Sequence, residues 1–400
     1  MTDTNVATAP RPAAEPYAKR VCHDADSHVM EPAEWLDAFI DEIKQDPLAS
    51  VHRTPNERIQ KMAEEAKQRL GNEELTRQAA ENIIAGRKGV VAYGAFDPDE
   101  RIKALDQLGF ASQLVFATHS LGVFRTYKDA DTLYAGARAH NRAMAKFCGV
   151  DPRLVAVGYL PLNDTQRAVD EFDYAYELGC RTFWLPVTPA GDRSPAHIDL
   201  DPVWQRFVDK DIPFMLHIGP GSRVLTPEYN NNGRPRSPDL HGGGENLRYL
   251  DFVVLPHSAE MWIAAMIYGG AFERFPGLRG GVLEFGAYWV PSFLRELDFG
   301  HRAFSRTDPM LKDMPIKPSE YFRRHIKVGP FPGEDAGALI RECGGELFMF
   351  SSDYPHNEGT NDPIGRFERT FAGISEEDKE RFYRTNYEEL LGAALPSTSR

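Results

Sequence analysis

From residue 21 onward, short apolar runs that end in polar residues alternate with longer amphipathic stretches, the pattern of repeated βα units rather than of a sheet sandwich. The runs predict strands at 21–26, 113–117, 154–160, 181–187, 212–218, 281–285, 325–328 and 347–351. Helix-period segments lie between them at 133–147, 165–178, 202–210, 259–275, 289–304, 336–343 and 363–371. Eight such units predict an α/β chain folded as a (β/α)8 TIM barrel, whose usual length is about 250 residues. This chain has 400, and the surplus falls mainly at 41–95, charged and helix-favouring, and at 220–251, rich in Gly, Asn and Pro. Both segments would leave the C-terminal ends of strands, where connections build the mouth of a barrel, so lids are expected. The first reads equally well as a solvated or oligomer-contacting helical pair. Residues 1–20 read as a loose arm and 396–400 as a frayed tail, which leaves 21–395 as one domain.

Composition narrows the function classes. Lys and Arg number 46 against 59 Asp and Glu, a net charge of −13. Without a long basic run, such a chain is repelled by nucleic-acid phosphates and anionic membrane surfaces. No run approaches the ~20 uninterrupted apolar residues of a spanning helix. Cys22, Cys148, Cys180 and Cys343 lie far apart with no CxxC pair, so they read as reduced thiols, and the N-terminal arm lacks the apolar core of an export signal. A cytoplasmic location is expected.

In a barrel, polar residues that close an apolar strand face the mouth. The first strand leads into Asp26-Ser27-His28, and alternation puts Asp26 and His28 on one face, where a carboxylate and an imidazole can share a metal ion. The fifth strand, IPFMLH, ends in His217 among apolar neighbours that offer it nothing. The sixth carries Glu284 near its end, and the eighth ends in Asp353 with His356 three residues on. Taken singly, each has an ordinary role: Asp26 and Asp353 as turn or cap residues, His217 as a hydrogen-bonded core residue, Glu284 as the partner of a buried Arg. Independent caps have no reason to recur at the same end of four strands. His119, closing the second strand, and His257, ahead of a long helix, are further residues that could face substrate. Arg125 and Arg223, in expected mouth loops, could neutralise an acidic one.

The segments DADSHVMEP, FMLHIGP, FERFPGLRGGVLEFGAYWVP and FMFSSDYPHNEG, in this order, resemble the amidohydrolase-related family, the branch of the amidohydrolase superfamily that includes aminocarboxymuconate-semialdehyde decarboxylase. The resemblance spans about 21–391 and leaves out 41–95. It implies a metal-dependent barrel enzyme, commonly a homodimer, with one catalytic divalent ion. Asp26 and His28 match the family's first-strand ligand pair, His217 the fifth-strand ligand, and Asp353 the eighth-strand ligand and catalytic carboxylate. Several members have His-x-His or Glu-x-His where this chain has Asp-x-His, and some place a histidine where Glu284 stands.

Two imidazoles and two carboxylates suit Zn2+ first, and also Mn2+ or Fe2+. The expected reaction is hydrolysis of an ester, amide, lactone or thioester of a small organic acid. Metal-activated water would attack, Asp353 would move the proton, and Glu284 and His257 would be secondary proton carriers or positioning groups. The same residues also serve non-oxidative decarboxylation of an aromatic or unsaturated acid, with His119, Arg125, Arg223 and His356 as substrate contacts. A third reading is a barrel without catalysis that binds or assembles partners through its N-terminal helical region.

Overall fold

The computed structural model of the chain describes residues 16–32, 35–36, 39, 57–81, 83–124, 129–219, 221–235 and 249–397. Seven strands, β1 (His23–Val29), β2 (Ser112–Ala117), β3 (Leu154–Tyr159), β4 (Thr182–Leu185), β5 (Phe214–His217), β6 (Gly280–Leu283) and β7 (Ile326–Val328), pair in parallel and in chain order. A helix or loop follows each, so the strands curl into the inner wall of a (β/α) barrel. Side chains of both faces of the strands are buried almost throughout, which is why the strands read as continuous apolar runs.

The expected eighth strand needs correction. Gly345–Leu347 is a 3-10 turn, and residues 348–354 touch their neighbours through two isolated bridges, Val328 with Phe348 and Ser27 with Tyr354. Four backbone bonds still close the barrel: Met349 N–H to Val328 O, Ala25 N–H to Phe350 O, Asp353 N–H to Asp26 O and His28 N–H to Tyr354 O. The ladder is sparse because other groups take its donors. Ser352 N–H goes to the Asp24 side chain, Phe350 N–H goes to Phe382 O, and Asp353 adopts φ +55°. β1 in turn runs past its expected end at 26 and slips register by one residue against β2 between Asp24 and Ser27, a bulge that re-aims the side chains around Asp26.

Helices Pro98–Leu108, Ala130–Cys148, Thr165–Leu178 and Ala336–Cys343 each start on an Asp whose side chain accepts a first-turn N–H: Asp97, Asp129, Asp164 and Asp335. Part of the acidic excess is therefore spent on caps. The first surplus segment, from residue 57 on, forms helices Glu57–Arg69 and Glu73–Glu81 and then packs behind the turn that follows Asp353. Gly89 N–H donates to Pro355 O at 2.7 Å, and Tyr354 Oη donates to Tyr93 O at 2.6 Å. Buried Arg69 locks it with a fork to Glu100 at 3.0 and 2.8 Å. Residues 41–56 and 82 of the first surplus segment, together with 220 and 236–248 of the second, lie outside the described residues.

One described stretch, Tyr249–Tyr268, is long and apolar enough by composition to match a membrane span, with mean hydropathy 1.3. Asp251, Pro256 and Glu260 interrupt it; Trp262, Ile263, Met266 and Ile267 pack into the barrel core, whereas Tyr249, Phe252, Val253 and Met261 are exposed, so burial accounts for only part of its apolarity.

His140, fully buried on helix Ala130–Cys148 with Nδ1 2.8 Å from Ser120 Oγ, gives the fold an acid limit. Burial lowers its pKa to about 4, against the opposing charge of Glu31. Between about pH 6.5 and 4 the unfolded chain protonates this ring while the folded one does not, so stability is full above that window and falls as pH falls through it. The loss from His140 is about 3 kcal/mol. Thermal unfolding at pH 7 and pH 4.5 should show the drop, and His140→Gln should show a smaller one; equal slopes would refute this assignment.

Candidate metal centre

The strand ends converge on one buried cluster. Asp26 Oδ1 lies 3.2 Å from both His217 Nε2 and His28 Nε2. His28 Nε2 lies 3.4 Å from Asp353 Oδ1, which is 2.9 Å from His356 Nδ1. His356 Nδ1 is 3.8 Å from Glu284 Oε1, and Glu284 Oε2 is 3.3 Å from His217 Nε2. The six groups thus form a closed ring of alternating carboxylates and imidazoles, each nearly inaccessible to solvent.

Backbone strain marks two of them. Glu284 follows β6 at φ +61° and Asp353 sits at φ +55°, conformations uncommon for residues with a Cβ and costing on the order of 1 kcal/mol or more. His217 ends β5 between the rings of Phe116 and Trp184, at 4.4 and 4.8 Å. Gly219, two residues on at φ +154°, leaves room for that indole, since a Cβ there would meet Trp184 at 2.3 Å.

Electrostatics favour a cation. Burial opposes ionisation of Asp26, but His217 and His28 outweigh it and hold the carboxyl below the usual range. Burial and then the charge of His356 lower His28 to about 3. Burial would lower His217 too, yet Asp26 and Glu284 raise it to about 9. His356 is likewise raised, because Asp353 and Glu284 outweigh its burial. Three carboxylates therefore force protons onto imidazoles, and a divalent ion would replace those protons. The ring nitrogens of His28 are buried without a hydrogen bond of good geometry, an expensive arrangement unless something binds them. Both donor groups, Asp26/His28/His217 and His28/Glu284/Asp353/His356, keep their atoms within 4.8 Å. These residues fit a buried divalent cation.

The chain matches the amidohydrolase family model over residues 23–393. It belongs to that family. A 2-amino-3-carboxymuconate-6-semialdehyde decarboxylase of Dictyostelium discoideum is 25% identical over 303 residues, 74% of this chain and 77% of the relative. Among solved structures, an amidohydrolase from Mycobacterium avium subsp. paratuberculosis is similar with TM-score 0.70 at 21% identity, covering 94% of this chain and all of that one. A 5-carboxyvanillate decarboxylase from Novosphingobium aromaticivorans, solved with manganese and 4-hydroxy-3-methoxy-5-nitrobenzoic acid, follows at TM-score 0.62 and 19% identity, covering 93% and 96%. The amidohydrolase barrel is thus shared, and the chain carries a buried His/Asp/Glu cluster of the kind that holds a divalent metal.

Of the residues singled out in the sequence, the structure brings together Asp26, His28, His217, Glu284 and Asp353, and adds His356 as a direct neighbour of both Glu284 and Asp353. It does not bring in His257. That side chain is 60% exposed on helix Pro256–Tyr268, with Nδ1 2.7 Å from Glu260 of the same helix, so the expectation of a proton carrier is corrected to an exposed i,i+3 pair. Arg223 is exposed on the loop after β5, and Arg125 lies outside the described residues. His119 is half-buried at the end of β2, its backbone N–H bound to Glu31.

Three carboxylates outside the cluster, buried Asp24 and Glu31 and half-buried Glu334, had no role in the sequence, and each staples a strand end. Asp24 accepts from Ser352 N–H, Ser352 Oγ and Gln113 Nε2. Glu31 accepts the backbone N–H groups of Thr118, His119 and Ser120. Glu334 accepts those of Ala287, Tyr288 and Phe331, and burial still raises its pKa. Arg101, fully buried, ties Ser27 Oγ and His28 O beneath the cluster. The only sequence signals were polar residues inside otherwise buried segments, such as the Glu of VMEP.

Proposed function

We propose that the protein is a metal-dependent carboxy-lyase that decarboxylates a small aromatic or unsaturated acid bearing a hydroxyl or carbonyl beside the carboxylate. Asp26, His28, His217 and Asp353 would hold the ion, with Mn2+ and Zn2+ both suited to so oxygen-rich a set. When bound, the ion supplies positive charge that fixes the substrate carboxylate and the adjacent oxygen. Asp353, 2.9 Å from His356 Nδ1, would take that ring's proton and pass it to the carbon that loses carbon dioxide: the C–C bond breaks, its electron pair stays on that carbon, the C–H bond forms there, and His356 is left neutral. Phe116 and Trp184, packed around His217, keep the inner wall apolar, which strengthens every charge interaction inside it.

The observation that carries this reading is the decarboxylase relative, similar over three quarters of its own length. Hydrolysis, the expectation raised by two carboxylates at the mouth, loses ground because Glu284 and Asp353 are both engaged by imidazoles of the ring. Incubation of metal-loaded protein with ortho-hydroxy aromatic and unsaturated acids in D2O containing H2 18-O tests it. Carbon dioxide and one deuterium on the product carbon are expected. Heavy oxygen in the product without carbon dioxide would overturn the proposal in favour of hydrolysis.

A further inference from the structure

The connections that leave β5, β6 and β7 carry apolar surface that the core does not use. Helix Tyr249–Val254, in the connection after β5, has the sequence YLDFVV and buries none of its 6 residues. Tyr249, Phe252 and Val253 are 78%, 52% and 70% exposed, and Tyr288, a short way beyond Glu284, is 60% exposed. Side chains of this kind are normally withdrawn from water, and a contiguous group of them marks a surface that something covers.

Position and rigidity tie this group to the cluster. Phe252 packs on Phe331, just beyond β7, with ring centroids 5.2 Å apart. The helix therefore bridges the connections on either side of β6, the strand that leads into Glu284. Glu334 fixes the other rings: it accepts the N–H groups of Ala287, Tyr288 and Phe331, and Tyr288 Oη accepts Asp335 N–H at 2.7 Å. Gly286, at φ +66°, makes room for this, since a Cβ there would meet Glu334 and Phe331 at 3.0 and 3.2 Å. Tyr288 is thus exposed yet held, and the short chain between them keeps it within about 14 Å of Glu284. Aromatic rings fixed before a ligand arrives lose little freedom when they cover it. The loop 221–235 adds charge that attracts an acid, with exposed Arg223 and Arg234 against Glu228 in a chain of net charge −13.

We propose that the acid taken by the cluster carries an apolar tail on the side away from its carboxylate, and that Phe252, Val253, Tyr288 and Phe331 select it by covering that tail. This rests on the carboxy-lyase reading and narrows its substrate class. The attachment of the rings favours a ligand of the cluster over a second copy of the chain, because one carboxylate, Glu334, fastens both the connection that carries Glu284 and the one that carries Phe331.

Calorimetric titration of the Mn2+-loaded full chain with salicylate and with its methyl, propyl, pentyl and heptyl derivatives, substituted para to the carboxylate, reads the tail. Carbon dioxide release from the same acids reads the reaction. Affinity should rise about threefold for each methylene that the rim covers. Phe252→Ser combined with Val253→Ser should cut the ratio of heptyl to unsubstituted affinity by about tenfold or more, and Phe252→Leu with Val253→Leu should restore most of it. A flat series, or a ratio unchanged in the serine variant, would overturn the tail, and carbon dioxide release would then still uphold the reaction. A series that rises and depends on Phe252 and Val253, while no acid releases carbon dioxide, would overturn the carboxy-lyase reading alone. A serine variant that loses only self-association, read by sedimentation, would assign the face to a second copy and overturn the proposal. Binding of none of the acids would overturn both.

Discussion

Replacing Asp353 by Asn is expected to cut turnover by about 10^3-fold or more with little change in melting temperature. The two halves of that expectation have separate causes. Asp353 Oδ1 lies between His28 and His356, so on the proposed reading its carboxylate would both bind the cation and carry the proton. An amide can neither release a proton to carbon nor bind the ion as a charged ligand. Asn, however, tolerates the φ +55° of this position as well as Asp does, and so keeps the backbone that Asp353 N–H fastens to Asp26 O. Turnover is measured at saturating metal and substrate, alongside metal content and thermal unfolding. Activity within tenfold of the parent would mean that the proton comes from elsewhere in the ring, with Glu284 next to be tested.

The parts of this structure that the sequence announces are those set by one-dimensional periodicity. Parallel strands buried on both faces produce apolar runs, so β2 through β7 lie close to where those runs place them, and the strand-end rule finds Asp26, His28, His217, Glu284 and Asp353. The errors occur where tertiary bonds override local pattern. Residues 347–351 read as a strand because they are apolar, yet their donors are diverted to Asp24 and Phe382 and the segment closes the barrel without a full ladder. His257 stands before a helix and looked like a mouth residue, but the helix turns it to solvent. Asp24, Glu31, Thr118 and Glu334 carry no local signature at all: their importance lies in which polar groups converge on them, most from more than 40 residues away, and no spacing rule records that.

Glu31→Ala is expected to be among the most destabilising single changes outside the cluster. The carboxylate is buried and accepts three consecutive backbone N–H groups, from Thr118, His119 and Ser120, at 3.0, 3.0 and 3.1 Å. Alanine would strand all three at the end of β2, and each buried donor left without a partner costs about 1–3 kcal/mol, so a loss of about 4 kcal/mol follows even if water reaches one of them. Glu31→Gln keeps one acceptor oxygen and loses the charge, and should lose about half as much. The damage is also directional. Thr118 holds His356 Nε2, and Ser120 Oγ holds His140, so loosening this turn should weaken divalent-cation binding at the cluster and should steepen the acid sensitivity of the fold. Urea unfolding of the two variants, with Mn2+ titration of the folded protein, reads both effects. A Glu31→Ala protein as stable as the parent would show that the turn after β2 holds itself, and that Glu31 is a bystander to the geometry of His356.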